Sequence, residues 1–146
     1  AFLFPVSRTT LTIPSTASHV VTVGAYDPLT FTYADFSGRG PAEGQEGAAA
    51  FKPDLAAPGV RITAPEVGGG YAEVTGTSFA APFVTGSAAL LMEWGIVKGN
   101  DPYLYGEKVK AYLRRGARPL PGEAEYPNDQ VGYGTLCVRG SIPGEK

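Results

Sequence analysis

Short and long apolar runs divide the chain, and their spacing predicts both strands and helices. The segment "HVVTVGAYD" (19–27) holds consecutive β-branched residues and is bounded by Gly24, which is typical of a short buried strand in a parallel sheet. The stretch 36–59 is rich in glycine, proline and alanine and predicts mostly loop, and 1–18 predicts an extended segment and loop. Further strand-like segments are predicted at 31–35, 60–65, 67–76 and 131–140.

Two longer segments predict helices of different character. "SFAAPFVTGSAALLMEW" (78–94) is apolar on nearly all faces, so it predicts a helix that is buried on every side. Segment 101–117 predicts an amphipathic helix that ends at Gly116. Its apolar positions are Leu104, Val109, Tyr112 and Leu113, and its remaining positions carry Lys108, Lys110, Arg114 and Arg115. The alternation of strands and helices favours an α/β fold.

Composition and charge narrow the function classes. With 146 residues, 43% of them hydrophobic, the chain has the size of one domain and can bury a core. A net charge of −2 without a basic patch argues against nucleic-acid binding, and no apolar run approaches 18 residues, so no membrane partner is expected. A single cysteine excludes an internal disulfide. Since the chain starts at Ala1 rather than methionine, we expect a processed or trimmed piece whose localisation its own residues do not give.

The stretch "VTGTSFAAP" (74–82) places Ser78 at the start of the first helix. Serine or threonine in that place most often caps the helix. The same place adjoins unpaired backbone N–H groups and the positive end of the helix dipole, which can stabilise an oxyanion. Ser78 is therefore a candidate acyl-transfer nucleophile, provided that a base lies beside it.

The segment "GTSFAAPFVTG" resembles the nucleophile signature of the subtilisin-like serine proteases, Gly-Thr-Ser-x-Ala-x-Pro followed by a Val-x-Gly helix. Three other segments, "VVTVGAYD", "FSGRGP" and "KPDLAAPGV", resemble family motifs that precede the serine, and "VGYGTLCV" resembles the family's closing segment. The matching residues of the signature are Gly76, Thr77, Ser78, Ala80, Pro82, Val84 and Gly86.

The resemblance implies an α/β, three-layer subtilisin-like fold with a mainly parallel sheet. Residues 1–146 would form only the C-terminal part of the catalytic domain. It implies Ser78 as nucleophile, with Thr77 and Gly76 supporting the oxyanion and the substrate backbone. The family's triad aspartate, histidine and oxyanion asparagine would precede this segment, in the missing N-terminal half of the domain.

The chain's own titratable residues do not match those roles. His19 stands in "ASHVV", outside the family's histidine motif, and is expected at the surface. The three aspartates Asp27, Asp35 and Asp54 follow the first strand, so none takes the place of the triad aspartate. Asp54 is interpreted as a loop residue that holds backbone N–H groups, with a metal role as the weaker alternative. Cys137 is interpreted as a small core residue.

The function implied is that of a serine-type endopeptidase that acts through an acyl-enzyme, with this chain inactive alone. The alternative is a non-catalytic homologue with a binding or regulatory role, for example in germination signalling. An α/β-hydrolase is disfavoured because the Gly-x-Ser-x-Gly elbow is absent and no histidine follows Ser78.

The expected partners are a protein or peptide substrate and the missing N-terminal half. Without that half, the apolar helix predicts self-association of the fragment. No cofactor or metal site is evident, and a structural calcium ion is not readable from these residues. The segment "GNDPYLYGEKVKAYLRRGAR" (99–118) is most similar to the clostridial-type subtilases, which suggests a secreted or spore-associated bacterial protein.

Overall fold

The computed structural model describes residues 6–41 and 51–144. Strand β1 (Val23–Asp27) is the middle of a three-stranded sheet between β2 (Thr32–Tyr33) and β3 (Leu55–Pro58). β1 pairs in parallel with β3, with Val23 opposite Leu55, and it pairs antiparallel with the two-residue β2. The parallel pair is buried, as the β-branched run predicts, and the α/β class is confirmed.

A separate antiparallel hairpin connects this sheet to the first helix. Its strands are β4 (Ile62–Pro65) and β5 (Tyr71–Val74), with Ile62 opposite Val74. The three glycines Gly68 to Gly70 all have φ near +90 to +101°, which side chains disfavour, and they form the turn predicted for this segment.

Helix α1 (Thr77–Met92) follows the hairpin and continues into a π-helical turn, Glu93–Val97. α1 packs on β1 and β3 of the sheet and also contacts α2 (Glu107–Gly116) and the short α3 (Val138–Ser141). Thr77–Val97 is long and apolar enough to cross a membrane by length and composition alone, and core helices of water-soluble proteins meet the same criterion.

The main core lies between the sheet and the helices. Its fully buried members come from β1 and β3, from one stripe of α1, and from the α2 region: Ala25, Leu55, Ala57, Ala80, Leu91, Leu104 and Leu113. This stripe of α1 fixes the direction in which the start of the helix points, because Ala80 is packed one turn from its first residue.

Four predictions about elements need correction. For segment 36–59, the prediction of mostly loop left out the buried strand β3, "LAAP". The second helix begins at Glu107 rather than 101, after Gly106 with φ +56°. Segment 131–140 forms isolated bridges through Thr135 and then α3, not a strand.

The fourth correction concerns α1, which is not buried on every side by the described residues. Only Ala80, Val84, Ser87 and Leu91 are buried, while Phe83 and Leu90 are 42% and 52% exposed. The described part of the chain covers one stripe of the helix and leaves an apolar face open.

Candidate active site

Ser78 is exposed at the second position of α1, and its hydroxyl makes no hydrogen bond to any described residue. The residue before the helix is Gly76, with φ 155° and ψ 158°, so no side chain caps the helix. Thr77 and Ser78 are the first residues of α1, and their N–H groups therefore have no acceptor within the helix. The capping role that a serine most often takes here is not used.

Three contacts fix the backbone that leads into the helix. The Gly76 N–H donates to the Gly59 carbonyl over 2.8 Å, and the Arg61 N–H donates to Thr75 Oγ1 over 3.0 Å. The Arg61 guanidinium also lies 2.7 Å from the Asp27 carboxylate at the end of β1. These contacts join the end of the hairpin to the sheet, so the position of Ser78 is set by both.

A cleft of about 490 Å³ adjoins Thr77, the residue directly before Ser78. Hydroxyl groups dominate its lining, together with one acid, Asp35, and one base, Arg39. Among its other lining residues are Thr10, Leu11, Thr12, Ser15, Thr22 and Ser37. The cleft could receive an extended peptide next to the serine, because its walls offer hydrogen-bonding groups and only a few apolar side chains.

Asp54 lies at the centre of a buried ionic cluster behind this cleft. Its carboxylate is fully buried and accepts hydrogen bonds from the Thr22 N–H at 2.6 Å, from Lys52 Nζ at 2.8 Å and from the Arg114 guanidinium. Lys110 Nζ lies 3.6 Å from the same carboxylate. The Asp54 interpretation is confirmed for the backbone N–H, while its three cationic partners were not foreseen.

Burial alone would raise the pKa of Asp54, but the hydrogen bonds from Lys52, Thr22 and Arg114 outweigh it and hold the pKa below its ordinary value. Burial lowers the pKa of Lys52, and the hydrogen bond from its ammonium to Asp54 offsets this only in part. The pKa of each of these two side chains therefore lies below its ordinary value. Neither side chain lines the cleft.

The other residues singled out in the sequence lie apart from Ser78. His19 is at the surface, as predicted, with Nδ1 3.1 Å from Glu107 Oε1 on α2. Cys137 is only half-buried, and its sulfur accepts the Gly140 N–H at the start of α3, so the core interpretation is wrong. Asp35 lines the cleft, and Asp27 is paired with Arg61.

Residues 6–41 and 51–144 bring no histidine to the Ser78 hydroxyl, so the described part holds a candidate nucleophile without a base. Nor do these residues group three histidine, cysteine, aspartate or glutamate side chains as a metal site would need. What this part can supply is a serine, backbone N–H donors at a helix start and one side of a cleft.

Sequence reasoning missed Lys52, Lys110 and Arg61 as structural partners of the site. Lys110 and Arg114 are separated by one helical turn, which places them on one face of α2, and this spacing was a usable signal. No pattern indicates that the buried partner of that face is Asp54, since Asp54 and Arg114 are 60 residues apart in the sequence.

Comparison with known proteins agrees with these observations. The subtilase family (Peptidase S8) model matches residues 5–134. Serine protease AprX of Bacillus subtilis is 32% identical over 157 aligned positions, covering 93% of this chain and 32% of AprX. Minor extracellular protease Vpr of the same species is 33% identical over 118 positions, covering 75% of this chain and 13% of Vpr.

Among solved structures, the Clostridium perfringens CspB protease superposes with a TM-score of 0.88 at 43% identity. The match covers 95% of this chain and 29% of that protein. The chain thus spans about a third, or less, of the length of each of these relatives.

Proposed function

We propose, since this chain belongs to the subtilase family, that it carries the nucleophile of a serine-type endopeptidase and that the nucleophile is Ser78. One observation carries the proposal. The Ser78 hydroxyl is exposed and uncapped at the start of α1, beside backbone N–H groups that have no acceptor in the helix.

In the proposed reaction Ser78 Oγ attacks the carbonyl carbon of a peptide bond while a histidine takes its proton. The tetrahedral oxyanion accepts a hydrogen bond from the Ser78 N–H and is favoured by the helix dipole. Collapse expels the amine, which receives the proton from the histidine, and leaves an acyl group on Ser78. Water then hydrolyses the acyl-enzyme with the same histidine as base.

The histidine comes from another part of the full-length polypeptide in this proposal. The only histidine of this chain, His19, is paired with Glu107 at the surface. Relatives such as AprX are about three times as long as the matched segment, which leaves room for the remaining catalytic residues. We therefore expect the 146-residue chain alone to be inactive.

The polypeptide substrate would extend into the cleft beside Thr77. Gly76 supports this, because its lack of a side chain leaves room for a backbone near the serine. The hydroxyl-rich lining would hydrogen bond to peptide groups rather than select a large apolar side chain.

The open face of α1 is the proposed contact for the rest of the catalytic domain. Phe83 and Leu90 are exposed there among small residues that permit close approach, such as Gly86 and Ala89. Without a covering segment, the same face would drive the isolated chain to self-associate.

Export from the cell is the proposed localisation. One relative, Vpr, is named an extracellular protease, and this supports a secreted protein. Association with spores rests only on the likeness to clostridial-type subtilases and stays a prediction.

Hydrolysis of casein by the purified full-length protein tests the proposed function. We expect Ser78→Ala to lower turnover by roughly a million-fold, the scale known for loss of a triad serine. Ser87→Ala is the matched control, because Ser87 lies on the same helix and only back-bonds to the Phe83 carbonyl.

Casein hydrolysis that survives Ser78→Ala would refute the nucleophile. A folded full-length protein that binds casein without cleaving it would instead support the non-catalytic alternative. Cleavage by the 146-residue chain alone would refute the need for a base from elsewhere.

A further inference from the structure

Two lysines and one aspartate of the Asp54 cluster are buried more deeply than charged residues usually are. The side chains of Lys52, Asp54 and Lys110 are 3%, 0% and 5% exposed. Burying such a group can cost more free energy than its ion pairs return, and well-packed apolar residues are often at least as stable. Stability alone therefore does not explain the cluster, and we looked for a second role in its hydrogen bonds.

The lysines of the cluster use their remaining hydrogen bonds on a single segment, 18–22. Lys110 Nζ donates to the Ser18 carbonyl, and Lys52 Nζ donates to the Val20 carbonyl over 2.8 Å. Lys52 also donates to Thr22 Oγ1 over 3.0 Å. The bonded residues 18, 20 and 22 are every second residue of this segment, so Lys110 of α2 and Lys52, just before β3, hold one edge of it.

Thr22 connects the buried Lys52 to the wall of the cleft through its hydroxyl group. Its hydroxyl accepts from Lys52 and donates to the Ser15 carbonyl over 2.5 Å, and its own carbonyl accepts the Asp54 N–H over 2.8 Å. Both Thr22 and Ser15 line the cleft that Thr77 also lines. Thr22 is thus the link between the buried charges and the segment 10–15.

The other end of segment 10–15 is attached elsewhere. The Thr10 N–H donates to the Arg39 carbonyl over 2.9 Å, and the Arg39 N–H donates to Thr10 Oγ1 over 2.8 Å. Between these two anchors, Thr12 and Ile13 are exposed and have no secondary structure beyond turns. The Thr22 hydroxyl therefore fixes one of two ends of an otherwise irregular wall.

We propose that Thr22 and Lys52 are positioning residues that hold segment 10–15 as a wall of the substrate cleft. The inference rests on the proposed function. They act through Ser15 and do not touch the reacting atoms, so they affect substrate affinity more than the acyl-transfer step. A wall that loses one anchor samples positions that do not fit the peptide, and the binding-competent fraction falls.

Full-length Thr22→Val, which keeps the shape of threonine and removes the hydroxyl, tests the inference by peptide hydrolysis. We expect KM to rise about tenfold, the factor that a 1.4 kcal/mol loss represents, with kcat within about twofold of the original. Thr22→Ser keeps the hydroxyl and is the matched control, with KM close to the original. Lys52→Met should repeat the Thr22→Val pattern, and Lys52→Arg should restore most of the affinity.

Hydrogen exchange of the same variants supplies a readout that needs no activity. Amides of segment 10–15 should exchange faster in Thr22→Val than in Thr22→Ser, while those of α2 stay unchanged. Equal KM values and equal exchange in the valine and serine variants would overturn the inference while the proposed function stands. If the unaltered protein hydrolyses no peptide, the proposed function fails and the exchange comparison alone decides whether Thr22 anchors the wall.

Discussion

The Gly76 N–H donates a 2.8 Å hydrogen bond to the carbonyl oxygen of Gly59, and through it the loop after β3 holds the entrance to α1. Gly59 is buried and packs against Ala25 of β1 and against Gly76, the residue before α1. A Cβ on Gly59 would lie 2.6 Å from the Ala25 Cβ and 3.1 Å from the Gly76 carbonyl. The space there fits glycine alone, so the position of Ser78 depends on a residue 19 positions earlier.

Gly59→Ala should therefore impair catalysis more than a surface substitution does. The added methyl group pushes the sheet and the helix start apart, which should cost about 1–3 kcal/mol of stability. A displaced helix start would also lower kcat/KM of the full-length protein by at least about a hundredfold. Urea unfolding and peptide hydrolysis measure the two effects.

Glu73→Ala is the control for Gly59→Ala. Glu73 is exposed on β5, close in sequence to Ser78, and its side chain has no hydrogen bond or ion pair with any described residue. It should change neither property beyond error. Equal activity of the Gly59 and Glu73 variants would show that the junction does not position the proposed nucleophile, Ser78.

Removing the charge at Asp54 should destabilise the fold strongly. Asp54→Asn leaves Lys52 buried without a counter-charge and leaves Lys110 with only Glu107, 3.8 Å away, and breaking a buried pair in this way costs about 3–5 kcal/mol. Glu93→Gln is the control, since the Glu93–Lys98 pair is more than half exposed on both sides and exposed pairs contribute little. Urea unfolding of the full-length protein at neutral pH measures both.

Low pH should reduce the difference in unfolding free energy between the original protein and Asp54→Asn. The pKa of Asp54 in the folded protein lies below its ordinary value of 3.8, so its contribution is complete above that pH and is lost as the pH falls through the lower, folded-state pKa. Protonation of Asp54 removes the negative charge that faces Lys52, Lys110 and Arg114. The gap in unfolding free energy to Asp54→Asn should shrink below pH 3.8, and a constant gap would contradict the ionised cluster.

Part of this structure could be predicted from local sequence. The β-branched run gave β1, the glycines gave the hairpin turn, and the long apolar segment gave α1, because each pattern depends on near neighbours. Strand β3 escaped prediction because "LAAP" has weak strand propensity and becomes a strand through pairing with β1.

The candidate site also has features that follow from local sequence and features that depend on distant contacts. The placement of Ser78 at the start of α1 was predictable because the signature and the helix start are contiguous. Lys110 was expected among the polar positions of α2, yet it is buried, because Asp54 on a distant segment supplies its counter-charge. The cleft wall and its anchorage depend on contacts between segments, which no local pattern records.

The open face of α1 predicts the behaviour of the isolated chain. We expect it to self-associate, and Phe83→Ser with Leu90→Ser to shift it toward the monomer in light scattering, because both side chains are exposed on that face. Val67→Ser is the control, since Val67 is fully exposed at the hairpin tip and belongs to no such face. A monomeric unaltered chain would contradict the proposed contact with the rest of the domain.

Covalent labelling tests the central claim most directly. A fluorophosphonate reacts with an activated serine through loss of fluoride and formation of a Ser Oγ–P bond, and mass spectrometry of the digested full-length protein locates the adduct. We expect a single stoichiometric adduct on the peptide that carries Ser78, and none after Ser78→Ala. A folded full-length protein that is unlabelled at Ser78, or labelled on another serine, would contradict the account.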